Sequence, residues 1–247
     1  MNTSIRHPRL ASAALRRQVA IVASVIGALL TQSAASLANE VVDLRRQPVI
    51  EGNAEAALEK NAVCGGCHGV DGNSVVPDFP SLAGQSATYL YLQLKAFKTG
   101  SRPSDIMKPQ VEALSDQDMK DLAAHYASLS PKASSPAASD GAADAGKNLY
   151  VRGDPMRGIP ACQGCHGVNA AGVHSVEQAP GRPATPWHTY PSLAGQQASY
   201  VVAQLKAYQA GTRVDSSNGR IMQIVAQALD EESMQQIAAY VSQLPRQ

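Results

Sequence analysis

Apolar residues recur along most of this chain at helical rather than strand spacing. Residues 87–98 place Leu90, Leu94 and Phe97 on one face of a predicted helix. Ser115 is a residue type that favours the N-cap position, so it predicts the start of another helix. The apolar faces of this helix and of its counterpart near the end of the chain are formed by Met119, Leu122 and Tyr126, and by Met234, Ile237 and Val241. No stretch alternates apolar and polar residues for long, and the pattern therefore predicts an all-α protein.

The chain is internally duplicated. Residues 64–70, Cys-Gly-Gly-Cys-His-Gly-Val, return at 162–168 as Cys-Gln-Gly-Cys-His-Gly-Val. Residues 80–100 and 191–211 are identical at 13 of 21 positions, and both copies begin Pro-Ser-Leu-Ala-Gly-Gln. A repeat of this length predicts two copies of one structural module.

The segment 131–143 separates the two copies and is made mostly of Ala, Ser, Pro and Asp. It has no apolar periodicity and is interpreted as a linker. We therefore expect domain 1 at 39–130 and domain 2 at 144–247, each near 100 residues, which is a usual size for a small domain.

The N-terminus has the features of a secretory signal peptide at residues 1–38. Four arginines precede a twelve-residue apolar run, Val19–Leu30, and the small residues Ser36 and Ala38 fit cleavage before Asn39. The alternative is an uncleaved anchor, although twelve residues are short for a membrane span. Removing 1–38 leaves 17 Lys and Arg against 20 Asp and Glu, a formal charge of −3. This charge does not indicate a nucleic-acid-binding surface.

The four cysteines fall into two Cys-x-x-Cys-His motifs, the attachment sequence of c-type haem. We expect Cys64 and Cys67 to hold one covalent haem c and Cys162 and Cys165 to hold a second. The histidines that follow, His68 and His166, are then the proximal iron ligands. Aromatic residues make up only 4% of the chain, and two haems would supply the missing apolar bulk. A zinc site, a thioredoxin-like motif or disulfides would each leave the two histidines unexplained.

The sixth iron ligand is expected to be a methionine in each domain. Met119 and Met234 align with each other, but both lie on an apolar helix face and are interpreted as core residues. Met107 and Met222 also align, each twelve residues earlier. Because Met107 lies between two prolines, we expect both in loops that place the sulfur over the haem face opposite the histidine.

These motifs, together with Pro-Ser-Leu-Ala-Gly and a final helix with Leu-Ser-Asp, resemble class I cytochrome c. The tandem arrangement resembles the dihaem cytochrome c4 family over residues 52–244. The resemblance implies two helical haem domains, each with His/Met ligation: His68 with Met107, and His166 with Met222. It also implies that the carbonyls of Pro80 and Pro191 accept hydrogen bonds from the proximal histidines.

The functional expectation is a periplasmic electron carrier that is not an enzyme. The resemblance implies single-electron transfer within a respiratory chain toward a terminal oxidase. We expect redox partner proteins, with a reductase or cytochrome as donor and an oxidase as acceptor. Peripheral association with a membrane is compatible with this function, and no nucleic acid is expected to bind.

Two alternatives stay open, a haem-containing subunit of an oxidoreductase complex and a dihaem peroxidase-like enzyme. Domain 2 carries about thirteen extra residues between its haem motif and Pro191, among them His174, Trp187 and His188. A histidine there could act at the second haem, whereas a surface loop with solvated histidines is the simpler interpretation.

Overall fold

The computed structural model describes residues 42–44, 50–132, 141–172 and 186–246. Val41–Gln247 forms one compact unit. The signal peptide predicted at 1–38, most of the linker predicted at 131–143, and His174 lie outside the described residues.

Nine α-helices and two short 3₁₀ turns make up the regular structure of the described part. The helices of the first half are α1 (Leu58–His68), α2 (Ala87–Thr99), α3 (Met107–Val111) and α4 (Asp116–Ser128). Those of the second half are α5 (Ala142–Arg152), α6 (Gln163–His166), α7 (Ala198–Gln209), α8 (Ser217–Gln227) and α9 (Glu231–Gln243), with 3₁₀ turns at Pro155–Arg157 and Pro186–Thr189. The all-α prediction is confirmed.

Each half of the chain surrounds its own apolar core. Leu90, Met119 and Leu122 belong to the first core, which α2 and α4 enclose. Tyr150 and Met234 belong to the second core, which lies between α5, α7 and α9. The two Met residues interpreted as core residues are 3% and 1% exposed. Each module of the duplicated chain therefore has a core of its own.

Glycines let the first segment of each half lie against its last helix. A Cβ atom on Gly146 would lie 1.9 Å from the carbonyl oxygen of Gln236, and one on Gly52 would lie 2.2 Å from that of Lys120. No other residue fits so close to a backbone. Gly146 thus lets α5 pack on α9, and Gly52 lets the segment before α1 pack on α4.

Helix α1 begins at Leu58 and continues through the first haem motif to His68. One local expectation was wrong. Met107 and Met222 were expected in loops, but Met107 is the first residue of α3 and Met222 lies within α8. Pro109 occupies the first turn of α3, where a missing N–H removes no helical hydrogen bond. None of the described helices has the length and apolarity needed to span a bilayer.

Candidate functional site

The first Cys-x-x-Cys-His motif forms the last turns of α1, which brings its cysteines close together in space. Cys64 and Cys67 are three positions apart and therefore neighbours on the helix surface. Cys64 is half-buried, Cys67 is exposed, and neither forms a disulfide. Both thiols are therefore available to form thioether bonds with a haem.

The second motif repeats this arrangement on a shorter helix. Cys162 lies at the N-cap of α6 and is half-buried, and Cys165 is exposed. Burial raises the pKa of the Cys162 thiol to about 11, and burial likewise raises that of Cys64. Neutral thiols are poor metal ligands, since the thiolate is the ligating form. Within the described ranges, no three His, Cys, Asp or Glu side chains are grouped as a metal site.

Both proximal histidine candidates are buried and held in one tautomer. The Nδ1 atom of His68 lies 2.8 Å from the carbonyl oxygen of Pro80, and that of His166 lies 2.9 Å from the carbonyl oxygen of Pro191. A carbonyl can only accept, so Nδ1 carries the proton and the lone pair is on Nε2. Burial lowers the pKa of both histidines, and the hydrogen bond to proline opposes that shift. A neutral imidazole with a free Nε2 is the form that ligates iron.

An aromatic ring supports each of these histidines. Phe79 lies 6.3 Å from His68 between ring centroids, and Tyr190 lies 6.5 Å from His166, both in tilted orientation. Sequence reasoning missed this pair. Its only signal was the repeat, since both rings occupy the position before the aligned prolines. The rings limit rotation of the imidazoles.

The four aligned methionines separate by burial. Met119 and Met234 are packed inside the two cores. Met107 and Met222 are only half-buried, and Met222 packs against the edge of the second core. Met107 and Met222 can therefore contact a group bound at the surface of the core, whereas the fully buried methionines cannot.

Unusually exposed apolar side chains lie next to the candidate ligands. Val63 precedes Cys64, Ile106 precedes Met107, and Ile221 and Ile224 flank Met222. These four side chains are between 49% and 70% exposed. Apolar surface concentrated beside ligand residues is typical of a binding site for an apolar group. A porphyrin face has the required chemistry.

Two buried arginines lie where the halves of the chain meet, and sequence reasoning missed them. Arg102 donates to Gln93 (2.6 Å) and across to Gln204 (2.8 Å), and Arg213 donates to Gln204 (2.8 Å) and across to Gln93 (3.0 Å). Each arginine also donates to a tyrosine of the opposite half, Tyr200 for Arg102 and Tyr89 for Arg213. Both occupy aligned repeat positions, two residues after Gly100 and Gly211.

The hydrogen-bond partners of these guanidinium groups in the described chain are all neutral, and Nε of Arg213 is buried without a hydrogen-bond partner. A buried cation is costly without a counter-charge. Haem carries two propionate carboxylates, which are the anions that this pair of arginines fits. Together with the cysteines, histidines and exposed apolar side chains, the residues present therefore fit two haem c groups.

The inserted segment of the second half reaches the first half. In the 3₁₀ turn Pro186–Thr189, the carbonyl oxygen of His188 accepts a hydrogen bond from Oγ of Ser86 at 2.5 Å. Trp187 packs edge-on against Tyr190 with 5.9 Å between the ring centroids. The described end of the insertion thus contributes to the contact between the halves.

Comparison with known proteins gives a consistent result. The Cytochrome c family model matches residues 56–130 and 143–245. The chain is 38% identical over 202 residues to cytochrome c4 of Azotobacter vinelandii, covering 78% of this chain and 90% of that protein. The crystal structure of reduced recombinant cytochrome c4 from Pseudomonas stutzeri matches with a TM-score of 0.69 at 36% identity, covering 78% of this chain and 100% of that one. A thiosulfate dehydrogenase electron acceptor of Stutzerimonas stutzeri (strain A1501) is 36% identical over 179 residues, 72% of this chain and 76% of that protein.

Proposed function

The chain belongs to the cytochrome c family, among the dihaem cytochrome c4 proteins, and from this we propose that it carries electrons in the periplasm toward a terminal oxidase. It is a c-type electron carrier with two covalent haem c groups. The observation that carries the proposal is the pair of buried histidines, each with Nδ1 bonded to a proline carbonyl.

The proposed ligand set assigns one role to each residue. Cys64 and Cys67 form the thioethers of haem 1, and Cys162 and Cys165 form those of haem 2. His68 and Met107 would hold the iron of haem 1, and His166 and Met222 that of haem 2, while Pro80 and Pro191 orient the histidines. When bound, each haem supplies an iron that changes between Fe(III) and Fe(II) by one electron. We propose a mature chain beginning at Asn39, with haem domains at 39–130 and 144–247.

The protein's own contribution is to bury the proximal histidines and to restrain their orientation during electron transfer. The histidines are restrained, because each Nδ1–H donates to a proline carbonyl and an aromatic ring lies beside each imidazole. Arg102 and Arg213 place positive charge at the boundary between the halves and would bind haem propionates there. A histidine and a methionine on each iron, together with the four porphyrin nitrogens, would leave no position for a substrate, and this would distinguish a carrier from an enzyme.

The proposed location and acceptor can be tested together. Cell fractionation should place the protein in the periplasm, with a mass equal to the chain from Asn39 plus two haems. Adding the reduced protein to washed membranes of its source cells should produce cyanide-sensitive oxygen uptake. Oxygen uptake that stays at the level of membranes alone would contradict the oxidase as acceptor.

Thiosulfate-linked electron acceptance is the second candidate function, and the similarity to a thiosulfate dehydrogenase electron acceptor favours it. In that case, a thiosulfate dehydrogenase and thiosulfate together should reduce both haems rapidly. A haem subunit of a larger complex would instead co-purify at higher mass without detergent.

The peroxidase alternative predicts rapid peroxide turnover by the reduced protein and loss of that turnover in His188→Ala. We expect slow turnover in both forms. The carbonyl of His188 is used in the contact with Ser86, and the variant keeps that carbonyl. Rapid turnover that disappears in the variant would favour the enzyme.

A further inference from the structure

Two glutamine side chains cross the boundary between the halves of the molecule. Gln85 and Gln196 end the two Pro-Ser-Leu-Ala-Gly-Gln segments. Gln196 accepts from the backbone N–H of Ser81 (2.9 Å) and donates to its carbonyl (3.0 Å). Gln85 makes the same two bonds with Ser192, at 2.9 and 3.0 Å. Each amide therefore pairs with the backbone of one residue in the opposite half, as a neighbouring strand would.

The residue that each glutamine holds follows the proline that holds a histidine. The N–H of Ser81 and the carbonyl of Pro80 belong to the same peptide group. A continuous hydrogen-bonded path thus runs from Nδ1 of His68 through this peptide to Oε1 of Gln196. The peptide between Pro191 and Ser192 connects His166 to Gln85 in the same way.

We propose that Gln196 is a positioning residue for the proximal ligand of haem 1, and Gln85 for that of haem 2. This rests on the axial histidines of the proposed function. An amide whose N–H is already bonded has a more polarised carbonyl, because hydrogen bonds in a chain strengthen one another. The stronger acceptor pulls harder on the Nδ1 proton and makes the histidine a more basic ligand. A more basic ligand favours Fe(III) and lowers the reduction potential.

Burial makes the effect specific to these two side chains. Gln85, Gln196 and Ser81 are at most 5% exposed, so water cannot replace a lost amide. Removing Gln196 would leave the buried N–H of Ser81 unpaired and its peptide free to turn. The potential of each haem is therefore set partly by the other domain, and separating the domains would raise both potentials.

The test is Gln196→Leu, which keeps the approximate length of the side chain and removes the amide. Its matched control is Gln197→Leu, because Gln197 also crosses the boundary but donates to the carbonyl of Ser74 and not to the peptide that holds His68. Haem-resolved potentials come from a redox titration followed by NMR. In Gln196→Leu, the reduction potential of haem 1 should rise by up to about 59 mV, which corresponds to a tenfold higher Fe(II)/Fe(III) ratio. Haem 2 should stay unchanged, and the control should move neither haem.

Gln85→Leu should raise the reduction potential of haem 2 and leave that of haem 1 unchanged. The Nδ1 proton of the affected histidine should also move upfield in the reduced state as its hydrogen bond weakens. If the leucine variant fails to incorporate two haems, Gln196→Met replaces it, since an unbranched side chain adapts to the gap.

Unchanged potentials, a shift of both haems together, or a shift confined to the haem of the mutated domain would overturn the inference. Failure of the proposed ligation is a separate result. It would appear in the unmodified protein as reduced-state NMR spectra without the ring-shifted signals of an iron-bound histidine and methionine.

Discussion

At the scale of single residues, burial divides chemically similar side chains into different roles. Met119 and Met234 are enclosed by core residues, whereas Met107 and Met222 remain half-buried beside exposed isoleucines. The four methionines share two aligned sequence positions, so the repeat alone could not rank them. Burial ranks them, because a methionine enclosed in the core cannot place its sulfur on a haem iron, whereas a half-buried one can.

Replacing Met107 or Met222 by alanine should open one haem to carbon monoxide and lower its potential, because a thioether ligand favours Fe(II). The weak near-infrared absorption of Met-ligated Fe(III) should fall by half in either variant. Met119→Leu and Met234→Leu are the controls, and each should cost less than about 1.5 kcal/mol of stability. Loss of that absorption in the controls alone would reverse the ligand assignment.

At the scale of elements, each half is held together where its last helix meets its first segment. The contact of α5 with α9 depends on Gly146, because the backbone of Gln236 occupies the space of a side chain. The start of α4 depends on a capping box, in which Ser115 and Asp118 each bond the other's backbone N–H. Lys60 of α1 forms an ion pair with Asp118 at 2.9 Å and so connects α1 to α4.

Gly146→Ala should separate α5 from α9 and destabilise the protein by about 1–3 kcal/mol, the usual cost of overpacking. Asn148→Ala is the matched control, because Asn148 is an exposed residue of the same helix. The control should change stability by less than about 0.5 kcal/mol. Guanidinium unfolding followed by circular dichroism measures both variants, and equal midpoints would show that the helices adjust without cost.

The capping box should stabilise the protein in a pH-dependent way. Hydrogen bonds from the Ser115 backbone and from Lys60 lower the pKa of Asp118 to about 2. A depressed carboxyl pKa stabilises the fold above its unfolded value of about 3.9, and that stabilisation is lost as the pH falls toward 2. The stability difference between the wild type and Asp118→Asn should therefore be constant above about pH 5, shrink as the pH falls toward 2, and become small below about pH 2.

Glu112→Gln, which changes an exposed carboxylate outside the box, controls for general charge effects in this measurement. Denaturant midpoints at a series of pH values supply the comparison. If the stability difference between the wild type and Asp118→Asn stays constant down to pH 2, the capping box stabilises α4 without the charge of Asp118.

At the scale of the whole molecule, the two halves are similar in fold but different in charge. Residues 39–130 contain 8 Lys and Arg and 12 Asp and Glu, a formal charge of −4, and residues 144–247 contain 8 and 7, a formal charge of +1. The buried arginines do not change the difference, because each half contributes one of them and each contacts both halves. The asymmetry therefore lies in the outer charges.

Haem 1 should have the lower potential, because negative surroundings favour Fe(III). A charge at 10 Å in water acts with about 0.4 kcal/mol, so five charges give about 2 kcal/mol before screening. Salt removes most of this, leaving a difference on the order of tens of millivolts. A redox titration followed by NMR at two salt concentrations measures the difference, which should shrink at high salt. A lower potential at the haem held by Cys162 and Cys165 would contradict it.

Several features of this protein follow from the sequence alone because they depend on local spacing. The two Cys-x-x-Cys-His motifs predict the haems, and the duplication predicts two modules. Helical periodicity predicts α2 and α4, and Ser115 correctly marks the start of α4. The loop assignment of Met107 failed for a local reason as well, since a proline in the first turn does not prevent a helix.

Only the tertiary structure decided how the two modules affect each other. Gln196 meets Ser81 across 115 positions of sequence, and Arg102 meets Gln204 across 102. No periodicity marks such pairs, because a glutamine on a polar stretch has the same sequence signature whether it is solvated or buried against a partner. Its role depends on which backbone groups lack a hydrogen bond once the domains meet, and that depends on the packing of the whole chain.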